Sequence, residues 1–589
     1  MELGGSEKET MDRKGWLGLI LCVVGLFAWQ WYVISHYGPS HAPKPTQTTE
    51  PVAGLKLPTT GSGEVANGGA GEIGPREPLS SPGSLPPEET AVLENGEIKV
   101  LFTSWGGAIR SIELKTQRAH GEELLVLNRF GREPILNVTG WDEGESLAAY
   151  HCNPESKEVV FSRTLPNGIE FRRRYRLSGD YEVRLEQQWV NPATREITLP
   201  RWKLCVGLGE PIHRQDPPAS IAANWLPVQG KLGRISLPDF GSAGILGMQW
   251  RGPRSLIDSP KEPMRWVAVK SQFYATVLLP PGTLPPDRLV CVRDPLVDFP
   301  GGGKGQPPAG LKAWASFPDI VLPPGSSLAT TFTVFAGPKE YSLLKSLGSE
   351  TDRIMDYGFW GWIVKPLLWC MVHLHQILPN YGVVIIVFTL CIKAVFWPLQ
   401  SAANRHMKEM QALSPRMKEL QAKYKDQPDK IQAETMRLYR EFGVNPVGGC
   451  LPVVVQVPIF IGFYTMLQSS VELRHQSFLW IHDLTRPDTV ATLPGIGLDI
   501  NPLPLIMVGT QIILARMSSP PAENPQTRMM QWMPVFFLVF FYNFAAALPL
   551  YWTVNNLVSM GQTYWNLRKP VPMLHRVKKQ KASGLSLRK

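Results

Sequence analysis

A lysine inside an apolar run of hydrocarbon length is the residue most able to do chemistry in this chain. Lys393 interrupts the 19 residues from Tyr381 to Leu399. A lysine near the centre of a membrane-spanning helix costs about 2.5–3.5 kcal/mol on the insertion scale. Its ammonium can attract acidic groups and hold water. Thr389 stands one turn away on the same helical face. Other apolar runs carry Gln456, Gln511 and Asn543, and Tyr551, Trp552, Asn555 and Asn556 crowd the last. In lipid each of these needs a partner or water. One wet, positively charged cavity facing the cytoplasmic side satisfies them together. The competing use of Lys393 is snorkelling, since it lies six residues, about 9 Å of helix rise, from Leu399.

Other reaction chemistries find little footing. Gly301-Gly-Gly-Lys-Gly305 lacks the G-x-x-x-x-G-K-[ST] spacing that cradles phosphates and reads as a loop. There is no G-x-S-x-G elbow, no H-E-x-x-H and no C-x-x-C. His373 and His375 are a poor metal pair, because i and i+2 do not share a helix face. A Ser–Lys protease built on Lys393 lacks its nucleophile: no serine shares the 381–399 run, and Ser401 lies past its end. Asn137-Val-Thr139 fits a glycosylation sequon, a weak match. The expectation is therefore no catalytic residue, metal or cofactor, and a protein that is not an enzyme.

The elements that position the polar groups follow from composition and period. The chain has 589 residues and a net charge of +10, and only 19% of its residues are charged. Gly and Pro number 52 and 54, above the usual ~7% and ~5%. The mean hydropathy of −0.08 excludes a chain that is membrane bundle throughout. Seven scattered cysteines give no disulfide framework. Trp16 to Ile34 is a 19-residue apolar segment preceded by Arg13 and Lys14. It reads as an uncleaved signal anchor within 1–37, the alternative being a cleaved signal peptide. In residues 38–90, 30 of 53 are Pro, Gly, Ser or Thr, the composition of a tether.

Residues 91–345 read as a β domain. Glu97–Ser104, Ile109–Leu114, Ile169–Leu177, Tyr181–Val190 and Leu328–Phe335 alternate with a period of two, and Gly106-Gly107 marks a turn. Many strands between Pro/Gly turns predict a large β-sandwich.

From about 358 the composition turns apolar again, within a unit expected over residues 346–569. Gly358 to His375 carries Trp, Lys and His and reads as an interfacial amphipathic helix. Spans are expected at Tyr381–Leu399, Val447–Ser469 and Leu503–Met517, then at 529–544 and 547–566 around a reversal near Asn543 and Pro549. With the anchor this makes six. Residues 401–443 hold nine Lys/Arg against six Asp/Glu, 470–500 hold two against four, and 568–589 hold eight against none. By the positive-inside rule the first loop and the basic tail, 570–589, are cytoplasmic and 470–500 lies outside. Six crossings then leave both termini cytoplasmic and the β domain outside. Within 401–443, Met407, Met410, Leu413, Met417, Leu420 and Tyr424, then Ile431, Thr435, Leu438 and Phe442, recur at helical spacing. They predict a helical hairpin. Its seam residues pack the two helices together, or in part its methionines accept varied apolar segments.

Asn380-Tyr-Gly-Val-Val-Ile-Ile-Val-Phe-Thr-Leu-Cys-Ile-Lys-Ala-Val-Phe-Trp-Pro-Leu399, Leu438–Pro452, Gln456-Val-Pro-Ile-Phe460 and Leu479-Trp-Ile-His-Asp-Leu484 are similar to segments of the bacterial YidC/Oxa-type membrane protein insertases. Gly106-Gly-Ala-Ile-Arg-Ser-Ile-Glu-Leu114 resembles the start of that family's periplasmic β-supersandwich. The resemblance covers about residues 91–569. It implies an α-helical membrane protein of six transmembrane helices with a large periplasmic all-β domain, in the bacterial inner membrane. It also implies a hydrophilic groove, open to cytoplasm and lipid and closed outside. The family's central charge is usually Arg, whereas the matching position here is Lys393, which keeps the charge without the planar fork. Thr389, Tyr551 and Trp552 fall at similar groove positions, with Gln456 and Gln511 as lining residues.

The expected work is integration of nascent membrane proteins. A segment touches Met407, Met410, Met417 and Leu420 on the hairpin, its polar flank enters the groove, and its apolar part partitions into the bilayer at ~0.8 kcal/mol per buried CH₂. The basic tail suits ribosomal RNA or anionic lipid through their phosphates, or serves only to set topology. The resemblance adds the Sec translocon and the ribosome and signal-recognition route as partners, and no DNA. A small-solute or lipid transporter using the same cavity is the alternative, although no internal repeat between spans is visible.

Overall fold

In the computed structural model the described residues are 87–568, except 120–122, 142–149, 155–156, 215, 246–247, 297, 301–307, 425–426, 445–450, 494–497 and 519–533. The expected anchor, nearly all of the tether, the basic tail and the first residues of the 529–544 span lie outside them. The described residues divide into a β unit, within Ile34–Ser271 and Ala275–Gly337, and a helical unit, chiefly Pro338 onward.

Alternation builds the β unit. In the strand Glu170–Leu177, Phe171, Arg173 and Tyr175 are buried while Arg172, Arg174 and Arg176 face solvent. This strand belongs to a nine-stranded sheet. Its order is Gly233–Ser236, Ala222–Pro227, Met264–Lys270, Tyr274–Leu279, Ser327–Pro338, Glu182–Val190, Glu170–Leu177, Glu158–Thr164 and His151–Pro154. A five-stranded sheet runs Leu256–Asp258, Arg288–Pro295, Ala309–Phe317, Trp202–Gly209 and Val138–Thr139. The two sheets bury aromatic rings against each other. Trp202 and Phe317 stack at 4.3 Å, Trp189 meets Trp202 at 5.8 Å and Phe317 meets Phe332 at 5.7 Å. A four-stranded sheet, Thr90–Glu94 to Leu124–Leu127, adds Phe102, whose ring lies 4.9 Å from Tyr175.

Among the ionisable groups buried inside this unit, Arg173 and Glu210 are held by the backbone. Arg173 is fully buried and donates to the carbonyls of Gly106 at 3.0 Å, Gly107 at 2.9 Å and Leu136 at 2.6 Å. The Gly106-Gly107 turn makes this cradle because both residues take positive φ, +78° and +53°. A Cβ on Gly106 would fall 2.5 Å from Asn137. Glu210 accepts from the backbone N–H groups of Arg129 at 2.9 Å and Phe130 at 3.2 Å. Burial outweighs those donors and pushes its carboxyl up to about 7.

The helical unit contains α1 (Tyr341–Ser346), α2 (Gly361–Ile377), α3 (Tyr381–Val395), α4 (Trp397–Ala412), α5 (Ser414–Lys423), α6 (Pro428–Glu441), α7 (Leu451–Ser469) and α8 (Pro502–Ser518). α9 covers 534–541 and α10 is Ala547–Leu567. Among the described residues no single helix is long and apolar enough to cross a membrane; α3 and α4 reach that length together, bent by 63°. Pro398 causes the break, since it lacks an N–H and disfavours helical geometry in the residue before it. The expected 381–399 span therefore divides at Phe396. Phe359, Trp362, Trp369 and Ile377, in and beside α2, are exposed. Such apolar surface is foreign to a water-facing helix.

Candidate functional site

One loop gathers the starts of three helices. The Asn380 side chain caps α3, accepting from the N–H of Gly382 at 2.9 Å and Val383 at 3.3 Å while donating to the Ser477 carbonyl at 3.0 Å. A Cβ on Gly382 would stand 2.1 Å from the Phe478 ring, so only glycine permits this approach. Asp488 accepts from the Leu503 N–H at the start of α8, 2.6 Å, and from the Trp480 indole, 3.2 Å. The Arg486 and Leu484 carbonyls accept from Ala546 and Ala547 at the start of α10, at 2.7 and 3.0 Å. The 477–488 segment thus pins the end from which α3, α8 and α10 depart.

α10 packs against α8 and α3 and carries the polar groups inward. Tyr551 accepts a 2.6 Å hydrogen bond from Gln456 of α7, and its ring lies 4.4 Å from that of Phe463. Its neighbour Trp552 donates to Gln511 of α8 at 3.0 Å and meets Phe460 at 4.9 Å. Asn556 donates to Thr510 at 3.1 Å and to the Met507 carbonyl at 3.3 Å. The structure thus joins Gln456 with Tyr551 and Gln511 with Trp552, four of the polar residues that the sequence reading assigned to one cavity.

Lys393 sits two turns beyond that layer. It is 12 residues into α3, about 18 Å of helix from the 477–488 segment. Its residue is only 9% exposed. The ammonium donates to Ser559 Oγ at 2.8 Å, and Ser559 in turn donates to the Asn555 carbonyl at 2.8 Å. No carboxylate pairs with Lys393 among the described residues. An ammonium has three donors, and the single partner leaves two for water or a guest.

Ser559 is the residue that the sequence reading missed. Its signal is spacing: Tyr551, Asn555 and Ser559 recur every four residues along one face of α10. Thr389 is on the Lys393 face and 1% exposed, but its hydroxyl bonds the Ile385 carbonyl of its own helix at 2.6 Å. Asn543 lies exposed in the turn before α10 and joins none of these pairs.

The hairpin methionines divide. Met410 and Met417 pack on a core of Leu413, Tyr439, Phe442 and Val444, with Tyr439 Oη 3.3 Å from Met417 Sδ. Met407 and Leu420 stay half-buried outside that core. Lys408 of α4 reaches the Asn566 carbonyl at the end of α10, where a cation suits the helix dipole.

Comparison with known proteins matches the chain along most of its length. The family model of the 60Kd inner membrane protein matches residues 373–572, and that of the YidC periplasmic domain matches 91–370. A membrane protein insertase YidC of Pelobacter propionicus is 30% identical over 578 residues, covering 94% of this chain and 98% of the relative. One of Syntrophus aciditrophicus is 29% identical over 595 residues, covering 94% and 99%. A crystal structure of an active YidC insertase with its first transmembrane domain resolved aligns over 93% of this chain and 99% of that one. Its identity is 17% and its TM-score 0.35.

Proposed function

Because the chain belongs to the YidC family of membrane protein insertases, we propose that it integrates nascent proteins through a cationic groove whose central group is Lys393. It is an inner-membrane insertase with a β-rich periplasmic domain and a C-terminal helical region. The finer reading places six spans around that region, with both termini cytoplasmic. α7, α8 and α10 supply three of these spans, and the bent α3–α4 pair supplies another.

The observation that carries the groove is a buried ammonium with one neutral partner and donors to spare. An acidic flank of a guest segment replaces the water on those donors at lower desolvation cost than lipid would demand. Tyr551 with Gln456 and Trp552 with Gln511 form a layer of aromatic faces and amides deeper toward the 477–488 segment. That layer lets polar backbone trade hydrogen bonds while apolar side chains slide toward lipid. The loop that pins α3, α8 and α10 seals the far end, so guests enter from the cytoplasm and leave sideways. Thr389 sets the wall of the groove through its packing, since its hydroxyl is occupied.

Met407 and Leu420, outside the hairpin core, offer the first apolar contact, and Met410 and Met417 give way with that core. The Sec translocon and a ribosome delivered by the signal-recognition route are the partners that fit this work, with the basic tail at 570–589 touching RNA or anionic lipid through phosphates.

The test replaces Lys393 with Arg, Ala and Glu and follows integration of single-span substrates with acidic outer tails in proteoliposomes. Arg is expected to work, while Ala and especially Glu fail on the most acidic tails. Equal activity across all three would reduce Lys393 to a snorkelling anchor. Solute flux without integration would favour a transporter.

A further inference from the structure

A cavity of about 400 Å³ opens on the β unit, on the outer face of the five-stranded sheet. Strand register builds it. Lys203 and Arg288 stand opposite Ser316 from its two sides. Three adjacent strands therefore set an ammonium, a hydroxyl and a guanidinium in one row, with neighbouring strands about 4.8 Å apart. Alternation turns Trp202, Leu289 and Phe317 into the core and leaves this row on the other face. Arg201, Lys261 and Asp258 complete the polar lining.

The charges do not cancel. Arg201 bonds Asp287 at 2.5 Å, and Lys261 lies 3.9 Å from the same carboxylate. Arg288 meets Asp258 at only 3.5 Å, and its Nε has no acceptor. Lys203 is exposed and has no carboxylate partner among the described residues. Ser316 is 5% exposed, yet its hydroxyl faces the cavity with no hydrogen-bond partner among the described residues. Lys203 and Arg288 thus flank a hydroxyl that has no partner among the described residues.

We propose that this cavity binds a phosphate-class oxyanion, held by Lys203, Arg288 and Ser316 together. A tetrahedral anion offers oxygens toward three strands at once, whereas a planar carboxylate engages one guanidinium fork best. Free phosphate and the phosphodiester of a lipid headgroup share this chemistry.

The full chain, purified in detergent, is titrated by calorimetry with inorganic phosphate and separately with dihexanoyl phosphatidylglycerol, at constant ionic strength. Single-site saturable binding is expected. It should weaken about tenfold in Lys203→Gln/Arg288→Gln, the loss of charge-assisted hydrogen bonds. Lys203→Gln alone removes an exposed, unpaired side chain and leaves the fold untouched; it should weaken binding several-fold by the same reasoning. Tighter binding of the lipid assigns the headgroup as source, and tighter binding of phosphate assigns the free ion. Absence of saturable binding by either probe, or unchanged affinity in both variants, overturns the proposal.

Discussion

Both units of the molecule bury cations, and two of these, Arg173 and Lys393, are treated in opposite ways. Arg173 in the β unit is held by three backbone carbonyls and lies over the rings of Phe171 and Tyr175. It is sealed from solvent and ties the Gly106-Gly107 turn to the sheet. Lys393 in the helical unit has one serine hydroxyl and, among the described residues, no carbonyl or carboxylate. The contrast separates structural from functional burial: the first cation is tied by both terminal nitrogens to carbonyls of its own chain, with only its sealed Nε unpartnered, and the second keeps donors for something that arrives. Residue type agrees, since a guanidinium fork suits fixed bidentate contacts and an ammonium tolerates exchanging ones.

The largest expected effect tests the carbonyl-held side. Arg173→Met leaves the Gly106 and Leu136 carbonyls without a donor, while Gly107 keeps the Tyr175 hydroxyl, and should destabilise the β unit by about 3–5 kcal/mol in a urea melt. A loss under about 1 kcal/mol would erase the distinction drawn between the two cations.

Glu210 sharpens it next. Its carboxyl sits near 7 in the fold against an ordinary 4.5. Between those values the folded state holds a proton that the unfolded state has lost. The contribution is thus present below about 4.5 and disappears as pH climbs toward 7, by about 3 kcal/mol at most. Glu210→Gln should flatten that slope in melts taken from pH 5 to 7, and an unchanged slope would place the titration elsewhere.

Lys393→Ala should behave unlike either. The helical unit should keep its fold, while integration of acidic-tailed substrates drops about tenfold, the worth of one charge-assisted contact. A collapsed fold with no selective loss for acidic tails would make Lys393 a second Arg173. The smallest effect belongs to the deeper layer. Tyr551→Phe removes one interhelical hydrogen bond from Gln456 and should cost about 0.6 kcal/mol in a detergent melt.

Much of this could be read from residue patterns, and the parts that could not have physical causes. Period two located five of the strands, and the same parity applied to Phe171 and Tyr175 turns Arg173 inward. A charged residue reads as solvent-facing until its carbonyl partners are known, and those come from residues 37 to 67 positions away. Polar residues in apolar runs pointed to Gln456, Gln511, Tyr551 and Trp552, because lipid forces such groups to find one another. Ser559 escaped because a serine in a helix can satisfy itself on the preceding turn, as Thr389 does. The division at Phe396 was written in Pro398, but hydropathy averages over a single proline. Pairing across strands, which sets Lys203 and Arg288 beside Ser316, has no one-dimensional signal.

The central claim is that Lys393 selects guests by charge, and a charge exchange tests it most directly. In proteoliposomes, wild-type protein and Lys393→Glu are each given one single-span substrate, first with an acidic outer tail and then with its acids replaced by lysines. The account predicts that Lys393→Glu loses the acidic substrate and regains integration with the lysine-tailed one. Equal integration of both substrates by both proteins would contradict it.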